Sequence, residues 1–84
     1  MAKLVRTRDN EGHYGSLVEA IDPKTLKVVG REPMIGMMLK VGTMTAGSYS
    51  DRDWWRTSII VEIVSKDDEK IIFNTVNSMY TFYK

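Results

Sequence analysis

The chain has 84 residues, 43% of them hydrophobic and 27% charged, which is enough apolar material for one folded domain and too much for a disordered one. Twelve Lys and Arg against eleven Asp and Glu leave a formal net charge of +1, so no global field recruits nucleic acid, and DNA is not an expected partner. Without cysteine there are no disulfides or thiolate metal sites, so a domain this small must be held by packing, strand pairing or oligomerisation, and a homo-oligomer is expected.

Residues 3–6 form a short apolar run ahead of a polar loop at 9–12, where Asp, Asn and Gly mark a turn. Residues 16–21 and 26–29 flank Asp22-Pro23-Lys24-Thr25, whose Asp and Pro suit the first two positions of a type I turn, so the segment reads as a β-hairpin. A competing reading makes Ser16 and Glu19 a capping box that opens a helical turn, which Pro23 would end too early for stability. Residues 30–36 connect to a strand over 37–44 that turns Met37, Leu39, Val41 and Thr43 toward the core. The small and polar residues of 45–53 then suit an exposed binding loop that ends at Trp54-Trp55.

The last 30 residues carry the clearest signal. From 57 to 65 one face presents Thr57, Ile59, Val61 and Ile63 and the other Ser58, Ile60, Glu62 and Val64, a strand rich in β-branched residues. A charged turn at 66–69 leads to a strand over 70–75, a reversal at Asn77-Ser78, and a last strand over 79–83 with Tyr80 and Phe82 on one side. The expected fold is therefore all-β: one domain spanning 1–84, a small curled antiparallel sheet or SH3-like barrel of five to six short strands.

Catalytic readings lack parts. His13 is the single histidine and lies in a Gly-flanked turn, with no nucleophile or orienting acid placed beside it. Asp51 with Asp53, and Asp67 to Glu69, lack the spaced loop and distal Glu of a calcium site, and the glycines form no phosphate loop. No enzyme, metal or cofactor is expected. No apolar run approaches the roughly 20 residues that cross a bilayer, so no membrane contact is expected either.

Binding chemistry concentrates in two segments. Arg52, Trp54, Trp55, Arg56, Thr57 and Ser58 combine flat stacking surfaces, bidentate donors for phosphate and short hydroxyls, a set suited to nucleotides. The bland alternative is that one Trp plugs the core and the other packs on an Arg. Asn74, Asn77, Ser78 and Tyr80 are the second set, able to read a base edge if they lie beside the Trp segment, or simply to hold a tight hairpin. Met34, Met37, Met38 and Met44 suit core filling or a subunit interface.

The C-terminal half carries a resemblance. Residues 36–42 (GMMLKVG), Trp55-Arg-Thr-Ser58 followed by Val61-Glu-Ile63, and the run from Ile72 to Phe82 resemble small uncharacterised accessory proteins encoded by tailed bacteriophages. These share a W-x-T-S-x-x-V-x-x-I segment, whose last position here is Val64, followed by F-x-T-x-N-S-x-Y. The resemblance implies provenance more than activity: a protein acting in the cytoplasm of an infected bacterium, where many short phage proteins block host defence. Joined to the Arg/Trp segment, it points to a non-catalytic counter-defence protein that sequesters a nucleotide-derived immune signal such as a cyclic dinucleotide or ADP-ribose derivative. The alternatives are a protein-protein inhibitor of a host enzyme and, third, a single-stranded RNA-binding module.

Overall fold

The computed structural model describes residues 2–42 and 54–84. Nine strands run through them: β1 (Ala2–Arg6), β2 (Gly12–Gly15), β3 (Leu17–Ile21), β4 (Val28–Gly30), β5 (Met38–Gly42), β6 (Trp54–Arg56), β7 (Ile60–Lys66), β8 (Lys70–Thr75) and β9 (Met79–Tyr83). They form two antiparallel sheets, one ordered β2-β1-β9-β8-β7 and the other β4-β3-β5-β6, and the two do not close into a barrel.

Period-2 alternation decides which side of each strand is buried. In the five-stranded sheet Leu4, Phe82 and Ile71 lie directly across from one another, and Tyr80 pairs with Phe73, whose ring stacks on it at 5.6 Å. The four-stranded sheet contributes Leu39 and Val41 to the same cluster, backed by Val18 and Trp55, both paired with Val41. Each such aliphatic or aromatic side chain contributes about 1.5–3 kcal/mol on leaving water. The core thus lies between the sheets, and each sheet turns its other face outward.

Residues 57–60 carry the chain from one sheet to the other. Thr57 N–H donates to the Leu39 carbonyl at 2.8 Å, and Ile60 N–H donates to Met37 O at 2.9 Å, so the crossing segment stays bonded to β5 and the residue just before it while Ile60 enters β7. Gly12 permits another close approach: a Cβ there would lie 1.8 Å from the Leu4 carbonyl oxygen, which only glycine avoids.

The all-β antiparallel class read from the sequence is the one found, with more strands than the five or six expected. β4 is the second arm of the hairpin expected around residues 22–25, paired antiparallel with β3 but starting at Val28, whereas β2 and β6 were not foreseen: with four and three residues they are too short for alternation to register. His13 lies in β2 and not in a turn, and residues 17–21 are strand, which removes the helical alternative. The strand expected from 57 begins at Ile60, and its alternation is broken by register shifts between Ile60 and Glu62 and between Ile63 and Ser65. Val61 and Val64 fall at these shifts and are exposed, and such irregularities blunt an edge strand against unwanted pairing. Thr43, Met44 and the expected loop at 45–53 lie outside the described residues.

Candidate functional site

Antiparallel register places charged residues in line across the outer face of the four-stranded sheet. Glu19 of β3 pairs with Lys40 of β5, and Lys40 pairs with Arg56 of β6. The Lys40 ammonium lies 3.8 Å from Glu19 Oε1 and 4.7 Å from the Trp54 ring centroid, and the Arg56 guanidinium lies 5.9 Å from the same ring. One residue beyond the Ala20–Gly30 pair, Arg31 joins Glu19 in lining a pocket of about 250 Å³ with Leu17 and Val28. Among the described residues, Arg31, Lys40 and Arg56 against Glu19 give this face a surplus of two positive charges beside the partly buried Trp54 indole.

The pocket alone falls short of the roughly 300–1,000 Å³ of small-molecule sites. Glu19 on its wall lies 3.8 Å from Lys40, which in turn lies 4.7 Å from the Trp54 ring, and three strand spacings from β4 to β6 span roughly 14 Å. That length suits a ligand with a flat base at one end and phosphates along its middle, held by guanidinium forks and one ammonium.

Trp55 faces the other way. It packs on the core, its Nε1–H donates to the Tyr80 hydroxyl at 3.3 Å, and the Arg6 guanidinium stacks over it at 4.9 Å. Arg6 is itself clamped by Asp9, donating through Nε to Oδ1 at 3.0 Å and through a terminal nitrogen to Oδ2 at 2.5 Å. The Arg6 guanidinium, helped by the Glu11 backbone N–H, holds the Asp9 carboxyl down at about 2, and Asp9 in turn raises the Arg6 pKa.

The remaining expected site residues separate into structural roles. Thr57 is buried, its hydroxyl accepting from Leu39 N–H at 3.1 Å and donating to the Ser58 carbonyl at 2.7 Å. Ser58 Oγ accepts from Asn77 Nδ2, which ties the crossing segment to the β8–β9 turn. In that turn Thr75 Oγ1 accepts from the backbone N–H groups of Asn77 and Ser78 and donates to Ser78 O. Tyr80 is 5% exposed. Asn74 donates to Glu62 Oε1 at 2.8 Å on the outer side of the five-stranded sheet, away from Trp54. The structure therefore joins Ser58 to Asn77 and Trp55 to Tyr80, and leaves Trp54 and Arg56 as the members of the set that face out from the four-stranded sheet. Arg52 lies outside the described residues.

Glu19, Lys40 and Arg31 were not singled out from the sequence. The charge on the polar side of β5 was visible, but its neighbours come from strands 21 and 16 residues away, and only the register brings them together. Among the described residues no helix is long and apolar enough to cross a membrane. No family model, curated protein or solved structure matches the chain.

Proposed function

We propose that the chain is a non-catalytic phage accessory protein that binds and sequesters a nucleotide-derived immune signal, such as a cyclic dinucleotide or ADP-ribose derivative, in the cytoplasm of an infected bacterium. The observation that carries the reading is Trp54 flanked by Lys40 at 4.7 Å and Arg56 at 5.9 Å on an outward sheet face, with Lys40 in contact with Glu19 on the wall of the Arg31 pocket. Trp54 stacks on a base, Lys40 and Arg56 neutralise phosphate, and Arg31 takes the second charged group. Trp55, Tyr80, Thr57 and Ser58 support that face from behind. The phage provenance rests on the resemblance of the C-terminal half.

Isothermal titration of the purified protein with cyclic dinucleotides, ADP-ribose and mononucleotides tests it. Micromolar or tighter binding to at least one, lost in Trp54→Ala and weakened in Arg56→Ala, supports the reading. Absence of heat across the panel at high protein concentration removes it. A second reading, inhibition of a host enzyme by protein contact, draws on the exposed Leu26, Val28, Val29 and Ile35 around edge strand β4. Retention of counter-defence activity by Trp54→Ala and its loss on Ile35→Lys, outside the Arg31 pocket, would favour that one.

A further inference from the structure

The outer face of the five-stranded sheet carries a pattern that the Trp54 site does not use. Tyr14 of β2 pairs with Lys3 of β1, Lys3 with Tyr83 of β9, and Tyr83 with Lys70 of β8. Directly paired residues share a face, so the register builds one row across four strands in which aromatic and cationic side chains alternate. All four are exposed, Tyr14 by 60% and Tyr83 by 42%, although large aromatic rings ordinarily bury most of their surface.

Two strand spacings separate Tyr14 from Tyr83, roughly 10 Å. That is beyond the distance at which aromatic rings stack on one another, so each ring offers its own platform, with Lys3 between them. Tyr14 also lies against the ring of its chain neighbour His13, with centroids 5.9 Å apart. The adjoining positions on this face, Gly12, Val5, Thr81 and Ile72, carry no charge and form a low, half-apolar shelf. No carboxylate pairs with Lys3 among the described residues. The acidic turn at 67–69 adjoins the far end at Lys70, which favours a phosphate path over Tyr14, Lys3 and Tyr83.

We propose that this face binds single-stranded nucleic acid, with Tyr14 and Tyr83 each stacking on a base and Lys3 meeting the phosphate between them. Flat exposed rings need unpaired bases, so a duplex is excluded by its closed stack. Stacking reads no base edge, so binding is tolerant of sequence. The site lies on the opposite outer face from Trp54 and stands independently of the nucleotide reading there.

Fluorescence anisotropy of labelled oligo-uridylate and oligo-thymidylate with the full chain tests the proposal. The expected result is saturable binding that weakens as salt rises, with a duplex of the same length binding more weakly. Tyr14→Ala and Tyr83→Ala each weaken binding about tenfold, the Phe variants retain it, and Lys3→Glu weakens it with no aromatic removed. Trp54→Ala leaves it unchanged while abolishing binding of the cyclic dinucleotide or ADP-ribose, so the two sites fail separately. Absence of binding at low salt overturns the proposal. So does full affinity in the Tyr14→Ala/Tyr83→Ala double variant, or loss of oligonucleotide binding in Trp54→Ala.

Discussion

Trp55 and Tyr80 meet across the two sheets, the indole N–H of β6 donating to the phenolic oxygen of β9 at 3.3 Å. Arg6 of β1 covers the indole, so three strands from both sheets converge on one side chain. The two adjacent tryptophans therefore do different work: Trp55 clasps the sheets together, and Trp54 is presented outward. Trp55→Phe removes the hydrogen bond and part of the packed ring and should lower the unfolding free energy by about 1–3 kcal/mol. Trp54→Phe, at the outer face, should stay within about 0.5 kcal/mol of the parent. Urea denaturation of both variants checks this, and equal losses would show that the clasp is misassigned.

Thr57 satisfies both backbone groups of Leu39, whose N–H donates to the threonine hydroxyl and whose carbonyl accepts from the threonine N–H. Thr57→Val keeps the shape and the backbone bond but strands the buried Leu39 N–H, at a cost of about 1–3 kcal/mol. Thr57→Ser should recover most of it. Because the hydroxyl is committed inside the fold, ligand affinity measured on folded Thr57→Val should match the parent; a large affinity loss without a stability loss would return Thr57 to the binding site.

The strands with long alternation, β5, β8 and β9, were legible because each buries one face against the core, and burial writes period 2 into the sequence. β6 was not, since Trp54, Trp55 and Arg56 offer three residues with the two apolar ones adjacent and no alternation to read. The strand from 57 to 65 was legible as extended chain but not as a change of sheet, because Thr57 and Ile60 are both buried and the register shifts hide which face each residue takes. The same limit applied to the site. Trp54 and Arg56 stood out because they are close in sequence, whereas Glu19, Lys40 and Arg31 become neighbours only through pairings that composition does not encode.

The Arg6–Asp9 pair gives the fold an acid dependence of known sign. The Asp9 carboxyl sits at about 2 in the folded chain, below its ordinary 3.8, chiefly because it accepts from the Arg6 guanidinium. A depressed carboxylate favours the fold while ionised, so its contribution is complete above roughly pH 4–5 and is lost as pH falls toward 2. The side chain is exposed, so the effect is modest and salt-sensitive. In acid titration followed by circular dichroism, Asp9→Asn should flatten the stability change between about pH 5 and pH 2, and a direct titration that found Asp9 at its ordinary value would contradict the pairing.

Among the described residues Glu19 is the one acid in the Arg31–Lys40–Arg56 face, and its carboxylate lies 3.8 Å from the Lys40 ammonium. If that face meets phosphate through Lys40 and Arg56, Glu19 acts against the ligand, both by repulsion and by holding Lys40. Glu19→Gln keeps the side-chain shape and raises the surplus of the face from two positive charges to three. At about 4 Å in a water-like medium one charge interaction amounts to about 1 kcal/mol, so affinity for a phosphate-bearing nucleotide should rise about fivefold, and less at high salt. Titration of the parent and Glu19→Gln with the same nucleotide at two salt concentrations measures it. Weaker binding in the variant would mean instead that the carboxylate accepts from the ligand, as in recognition of a base edge, and would move the base from Trp54 toward the Arg31 pocket.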